Sequence, residues 1–307
     1  MIESFEYAIT CIGETVSSDF IEKIVALLMK KKCTVYKTQR ETHSEWTAMT
    51  LSVATHSPHE PSEFIKTFGA MGAELGVNVI VQKKIAYDRG KKLVVMDLDS
   101  TLVAGEGIDE LAKEAGVGDA VVLITKRAMN GEIPFQEALR ERVRLLKGLS
   151  VSSLDTVYRR IHLTPGALEL AAALKKHGMK TAVLTGGFDY FADKIKEKLN
   201  LTYAFSNQLE IKNGVLTGKV LGEIVDGMKK LHHMKAIAKK EGIALEDVVA
   251  IGDGANDLPM IGEAGLGIAF NAKPSVRKVA PYNITQKNLT VILPLLGISL
   301  GQNACYP

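Results

Sequence analysis

The chain has 307 residues, a formal net charge of +3, 46% hydrophobic residues and 24% charged residues. That apolar share excludes a mainly disordered chain, because enough surface can leave water to offset the entropy of ordering. Residues 1–85 carry 9 basic and 10 acidic side chains and the remainder 29 and 25, so neither part offers the basic patch of a nucleic-acid or anionic-membrane binder. A length near twice that of an average domain points to two domains.

The opening Met1-Ile2-Glu3-Ser4-Phe5-Glu6 has no basic region followed by an apolar stretch, so no signal peptide is expected. Cys11, Cys33 and Cys305 are odd in number and lack zinc-ligand spacing. They read as reduced packing thiols of a cytoplasmic protein. Glu6–Ile12 reads as a strand. Ser17-Ser18-Asp19 offers N-caps for a helix to about Lys31, with Phe20, Ile21, Ile24, Leu27 and Leu28 at helical spacing. Cys33–Thr38 and Ala48–Ala54 read as strands, Phe64, Phe68, Met71 and Leu75 mark a second helix, and Val77–Gln82 a last strand. This β-α-β-β-α-β order is the split βαβ pattern of a small α+β domain over residues 1–85. Trp46 falls on a strand or an interface. Lys83–Lys91, charged and containing Gly90, suits a linker.

From Lys92 onward the pattern changes. Leu93–Met96 is a continuous apolar run, as expected of a strand buried on both faces, and similar runs recur at Thr181–Leu184, Val248–Ile251 and Leu266–Phe270. Helical stretches at Pro165–His177, with Thr164 as N-cap, and at Leu231–Glu241 alternate with them. The expected fold of residues 86–307 is therefore α/β, a doubly wound, Rossmann-like parallel sheet. About 85 residues separate its first two strands, far more than a crossover needs. Residues from about 106 to 160 read as a helical cap inserted there. Asn213-Gly214 marks a hairpin turn. The apolar segment Leu289–Leu300 is too short to span a bilayer and is interrupted by Pro294. Gly301–Pro307 reads as a loose tail.

Ligands of such sheets bind at the carboxyl ends of the strands. Asp97-Leu98-Asp99-Ser100-Thr101 follows the first run, Thr185-Gly186-Gly187-Phe188 the second, and Gly252-Asp253-Gly254-Ala255-Asn256-Asp257 the third. Lys230 stands between the last two, with its neighbour Lys229 as the alternative. Asp97 and Asp253 are suited to share one hard cation such as Mg²⁺. A lysine and the N–H groups beside Gly186 and Gly187 suit phosphate oxygens. A carboxylate is able to act as a nucleophile, and a second one two residues on is able to protonate a leaving alkoxide and then deprotonate water. The bland alternatives are a solvated Asp-x-Asp loop, a glycine-rich turn at Gly252–Asp257 and an N-cap at Thr185. Arg142, flanked by Arg140 and Arg144, also fits a solvated helix face, and Glu106 a helix N-terminal charge. His232 and His233 are expected at the surface.

The string Asp97-Leu98-Asp99-Ser100-Thr101-Leu102-Val103 resembles the first motif of the haloacid-dehalogenase superfamily, and Thr185, Lys230 and Gly252–Asp257 resemble the next three in order. Glu106-Gly-Ile-Asp-Glu-Leu, the segment Phe135–Lys147 and Thr185-Gly-Gly-Phe188 narrow the resemblance to the phosphoserine phosphatases, over about residues 92–290. Residues 1–85 resemble an ACT domain of ferredoxin-like fold, although Gly13–Ser17 lacks the Asp-Arg/Lys-Pro-Gly turn common in ligand-binding ACT domains.

The resemblance implies Mg²⁺-dependent hydrolysis of O-phospho-L-serine through an aspartyl-phosphate, the last step of serine biosynthesis. Asp97 would be the nucleophile and a metal ligand. Asp99 would be the acid/base, with its main chain on the metal, and Asp253 the remaining protein ligand, with Asp257 close by. Thr185, where the family often has serine, Gly186 and Lys230 would hold the phosphoryl group, helped by Asn256. Glu106 would meet the ammonium and Arg142 the carboxylate of the substrate, under the cap residues Met129 and Phe135. A homodimer and an amino-acid effector at the ACT-like unit are implied partners. Another small phosphomonoester, phosphoryl transfer to an acceptor such as homoserine, and an amino-acid sensor with a retired core are the competing readings.

Overall fold

The computed structural model describes residues 4–299, the side chain of Met129 excepted. The expectations for that side chain, for Cys305 and for Gly301–Pro307 lie outside the described residues.

The first half alternates in polarity and builds an antiparallel sheet. Its elements are β1 (Phe5–Gly13), α1 (Ser18–Lys30), β2 (Cys33–Thr42), β3 (Thr47–Thr55), α2 (Pro61–Ala73) and β4 (Asn78–Lys83), with strand order β2-β3-β1-β4. The Ser17 hydroxyl caps α1 by accepting from the Phe20 N–H at 3.2 Å. Phe20, Ile24 and Leu28 of α1 and Phe64 and Phe68 of α2 cover one face of the sheet, where Cys11 and Cys33 pack. The other face does not meet solvent. Ile12, Trp46, Ala48 and Ile80 join the core of the second half, against the 3₁₀ segment Leu289–Leu296, every residue of which is buried. The Trp46 indole N–H donates to Thr290 Oγ1 at 2.9 Å, and Gln82 Nε2 to the Leu295 carbonyl at 2.9 Å. The apolar tail segment is therefore packing surface between the two sheets. Among the described residues, no helix is long and apolar enough to cross a membrane.

The stretch expected as a linker is pinned. It contains a short helix, α3 (Lys84–Asp88). Lys91 Nζ donates to the Glu246 carbonyl at 2.8 Å, and Arg89 pairs with the buried Asp247 at 2.7 Å. Lys84 pairs with Asp88 within the stretch, while Arg89 and Lys91 find partners beyond residue 240, which sequence composition alone does not disclose.

The second half starts with β5 (Leu93–Met96). The helical insertion follows, as α4 (Gly107–Glu114), α5 (Gly118–Met129), α6 (Phe135–Leu145) and α7 (Val151–Arg160). Then come α8 (Ala167–Lys176), β6 (Lys180–Phe188), α9 (Asp189–Leu199), β7 (Tyr203–Lys212), β8 (Val215–Leu221), α10 (Gly227–Lys240), β9 (Val248–Gly252), α11 (Leu258–Glu263), β10 (Leu266–Phe270), α12 (Pro274–Arg277) and β11 (Tyr282–Ile284). The strand order is β11-β10-β9-β5-β6-β7-β8. All neighbours are parallel except the hairpin β7–β8, which turns at Asn213-Gly214. The chain leaves β5 for β6 on one side and later returns to β9 on the other, so the topological switch falls at β5.

Two helix starts differ from expectation. Helix α8 begins at Ala167, not at Pro165, and Gly166 rather than Thr164 occupies the N-cap. Gly166 has φ 79°, and the Asn288 side chain fills the space a Cβ would need. Helix α10 begins four residues before Leu231, because Asp226 caps it by accepting from the Lys229 N–H at 2.9 Å. His232 is exposed, as expected, while His233 is half-buried and stacks on Phe205 at 4.1 Å.

Trp46→Ala removes the largest side chain at the contact between the sheets. It is expected to lower unfolding stability by about 3–5 kcal/mol, read from urea unfolding followed by far-UV circular dichroism.

Candidate active site

Register brings the carboxylates together. Met96 of β5 lies opposite Ile251 of β9, and the Asp97 N–H continues the ladder to the Ile251 carbonyl at 2.9 Å. Asp97 and Asp253 therefore leave adjacent strands at the same sheet edge. Thr101, in the turn after β5, donates its hydroxyl to Asp253 Oδ1 at 3.2 Å. That contact was not singled out from the sequence, where Thr101 read only as part of the motif.

The loop after β9 folds back on itself. Asp257 Oδ2 accepts the Asp253 and Gly254 N–H groups at 3.1 and 3.0 Å. Only glycine fits at 252, since a Cβ there would lie 2.3 Å from the Asp257 carboxyl carbon. The other oxygen of Asp257 meets Lys230 Nζ at 2.7 Å, and Lys230 also reaches Asp97 Oδ1 at 2.8 Å. Lys230 is fully buried. Burial alone would lower its pKa, but the Asp257 and Asp97 carboxylates outweigh that and hold it raised, so it stays a cation. Lys229 lies outside this cluster and pairs with Glu223 at the surface, which decides between the two lysines geometrically.

Asp99 points elsewhere. Its Oδ1 accepts the Gly107 N–H at 2.8 Å, and its Oδ2 the Thr185 hydroxyl at 3.4 Å. Burial raises its pKa, partly offset by the Gly107 N–H. Thr185 lies within β6 rather than at a helix cap; α9 is capped by Phe188. The Thr185 hydroxyl also accepts the Gly187 N–H at 2.8 Å.

The insertion closes over these groups and leaves a cavity of about 660 Å³. Glu106, Phe135 and Arg142 line it from the insertion, and Asp97, Gly186 and Asn256 from the sheet. Phe135 lies over Gly186. Beside Phe135, Gln136 Nε2 donates to Asp226 Oδ2 at 2.8 Å, joining α6 to the cap of α10. Arg140 and Arg144 are exposed, whereas Arg142 is half-buried in the cavity wall, so the solvated-face alternative does not hold for Arg142. Burial lowers its pKa, countered by the charges of Asp109, Glu106 and Asp99. Asp109 also lines the cavity; it sits one helical turn past Glu106, the one signal that marks it in the sequence. Glu106 keeps much of its own surface exposed and lines the cavity beside Asp99 and Asp109. Burial, with the charges of Asp99, Asp253 and Asp109, pushes its carboxyl up to about 7. It makes no capping bond to α4 and instead accepts from Ser100 Oγ at 3.3 Å.

The oxygens of Asp97, Asp253 and Asp257 lie within 4.8 Å of one another, and all three residues are buried. Burial raises the pKa of Asp97 well up, with the Asp257 charge adding and Lys230 opposing, and takes Asp253 up to about 6. One lysine leaves this acidic group under-neutralised. An all-oxygen set short of positive charge fits a hard divalent cation.

Lys230→Ala leaves two buried carboxylates without their cation. It is expected to cost about 3–5 kcal/mol in urea unfolding, as breaking one side of a buried pair does. Lys229→Ala is expected to change stability by less than about 0.5 kcal/mol.

The haloacid dehalogenase-like hydrolase family matches residues 94–262. A phosphoserine phosphatase of Archaeoglobus fulgidus is 53% identical over 237 residues, which are 77% of this chain and 69% of that protein. A solved haloacid-dehalogenase-family hydrolase of Salmonella enterica serovar Typhi superposes with TM-score 0.83 at 30% identity, covering 94% of this chain and 98% of its own. A solved phosphoserine phosphatase with an analogue of its phospho-aspartyl intermediate is 49% identical, with TM-score 0.64, over 67% of this chain and 99% of its own. The fold thus recurs in known hydrolases. The chain belongs to the haloacid dehalogenase-like hydrolase family, among the phosphoserine phosphatases.

Proposed function

We propose that this enzyme hydrolyses O-phospho-L-serine to L-serine and phosphate, with Asp97 as nucleophile and Mg²⁺ as its metal. One observation carries the reading: a single cavity is lined at its floor by Asp97, whose carboxylate is paired with the buried Lys230, and in its roof by a Glu/Arg pair. The floor suits a phosphoryl group. The roof suits a zwitterion, with Glu106 for the ammonium and Arg142 for the carboxylate, to which its planar fork is matched.

Thr185, Gly186, Asn256 and Lys230 hold the phosphoryl oxygens. Asp97 attacks phosphorus and the bond to the seryl oxygen breaks. Asp99, whose pKa burial raises, gives its proton to that oxygen and L-serine leaves. Asp99 then takes a proton from water, the resulting hydroxide attacks the aspartyl-phosphate, and Asp97 is restored with release of phosphate. Mg²⁺, held by Asp97, Asp253 and the Asp99 main chain with Asp257 behind, would supply charge neutralisation at the phosphoryl oxygens. The insertion shields the charges from water, where they act more strongly. Residues 1–85 form a separate ACT-like unit in this reading and 86–307 the catalytic one, acting in the cytoplasm.

Phosphate release from O-phospho-L-serine with Mg²⁺ and with EDTA, beside a panel of small phosphomonoesters, tests the reading. Metal-dependent preference for phosphoserine is expected; turnover of the panel without phosphoserine overturns the substrate. Asp97→Asn is expected to reduce turnover by at least about 10⁴-fold with the fold retained. Arg142→Ala is expected to cut kcat/KM for phosphoserine about 100-fold, and to leave an aryl phosphate within about threefold.

Glu106 must be ionised to meet an ammonium group, and its carboxyl titrates near 7. Below that pH it holds a proton, so kcat/KM for phosphoserine relative to an aryl phosphate is expected to fall as pH drops from 8 to 6. Glu106→Gln is expected to flatten that ratio.

A further inference from the structure

β6 and β7 pair in parallel through Leu184 and Phe205 and resume only at Phe188 and Asn207. The first strand advances four residues while the second advances two. Thr185, Gly186 and Gly187 are thus pushed out of the ladder towards the cavity, and their backbone groups lose the partners a regular strand would supply. The gap is filled by the side chain of Asn207, which is 1% exposed. Its Nδ2 donates to the Gly186 carbonyl at 2.8 Å, and its Oδ1 accepts the Val225 N–H at 2.8 Å. A carbonyl requires a donor and an N–H requires an acceptor, so the amide has one orientation only.

We propose that Asn207 is the positioning residue of the phosphate-binding edge, setting the Thr185–Gly187 loop and the start of α10 in one geometry. The inference rests on the phosphoserine hydrolysis argued above. The Gly186–Gly187 peptide is gripped at both ends. Asn207 holds its carbonyl, and its N–H donates to the Thr185 hydroxyl at 2.8 Å, which in turn donates to Asp99 at 3.4 Å. At the other end of the amide, Val225 precedes Asp226, the cap of the helix that carries Lys230. One buried side chain therefore fixes the hydroxyl and the lysine on opposite flanks of a phosphoryl group. Asn207 lies behind the loop and is absent from the cavity wall, so it acts through the groups that touch phosphate. Donors aimed in advance at the developing charge work only in the right place, and a misplacement of about 1 Å costs on the order of 100-fold.

The test uses the full chain with Mg²⁺ and phosphoserine. Asn207→Ala is expected to lower kcat by about 30–100-fold, while KM changes by less than about threefold, because Glu106 and Arg142 still hold the amino-acid end. Inhibition by inorganic phosphate is expected to weaken about tenfold, and inhibition by L-serine to stay within about twofold. Asn207→Asp, with an oxygen facing the Gly186 carbonyl, is expected to lose at least as much kcat. Asn207→Ser retains a hydroxyl that serves one end, and it is expected to lose less; it also supplies the comparison if the alanine variant does not fold. Full kcat in a folded Ala or Ser variant overturns the positioning role. So does an equal weakening of phosphate and serine inhibition, which marks a general collapse of the site. Absence of phosphate release by the unaltered protein overturns the functional reading and this inference together, whereas an active parent with an equally active variant overturns the inference alone.

Discussion

The buried ammonium of Lys230, between Asp97 and Asp257, is the interaction on which the site depends. Each charge of this group alone would be costly away from water, and attraction repays that only with good geometry. The chain supplies that geometry from three separate places. β5 ends at Asp97, the loop after β9 curls so that Asp257 accepts two of its own N–H groups, and α10 delivers the lysine from its first turn. The result is a fixed cation beside a carboxylate and an excess of negative charge next to both. In the proposed reading, a dianionic phosphoryl group bound in such a place requires further positive charge, and a carboxylate set that fits a hard cation lies beside the lysine.

What was legible in the sequence follows from the same constraint. Continuous apolar runs mark strands buried on both faces, and side chains directly after them fall on one sheet edge, so Asp97, Thr185 and Asp253 were located by position as well as by motif. Lys230 against Lys229 was not decidable from pattern, because adjacent helical residues differ only in which way they face, and facing is a property of the packed helix. The partners of the charged stretch 83–91 lie near Glu246 and Asp247, far away in sequence. The covered second face of the small sheet was hidden for a related reason. Trp46 and Gln82 fit a half-solvated surface in the sequence alone, and their polar partners, Thr290 and Leu295, lie more than 200 residues away.

Asn207 illustrates a different limit. Nothing in its neighbourhood of sequence marks it, since a buried asparagine in a strand reads as an anomaly of propensity. Its meaning comes from the mismatch between two strands, where one carries the bulge that exposes Thr185 and Gly186. A local rule broken at a functional site is expected, provided that another residue absorbs the consequence. Here the amide meets the Gly186 carbonyl that the bulge leaves without a strand partner, and with its other end the Val225 N–H ahead of α10.

The division of the site between sheet and insertion has its own logic. Entry and exit of the insertion run side by side: the Ala104 N–H donates to the His162 carbonyl and the Thr164 N–H to the Leu102 carbonyl, both at 2.9 Å. From this paired stem the helices lean on the β7–β8 hairpin, through Gly148 N–H to Leu216 at 2.8 Å and Val151 N–H to Gly214 at 3.0 Å. Asp97, Thr185 and Gly186 stand on the sheet, whose strands are fixed by their neighbours, while Glu106 and Arg142 come from the stem side and from α6. Asp99 bridges the two, because its carboxylate accepts the first N–H of α4 from Gly107 and the hydroxyl of Thr185 from the sheet. In the proposed reading, a substrate with an amino-acid end and a phosphate end contacts both bodies at once. In the proposed reading, these two contacts also fix Asp99 for the oxygen that it would protonate. Under the proposed function, recognition of the amino acid is thereby converted into orientation of the chemistry, and a phosphomonoester without that end lacks the contacts that would span the two bodies.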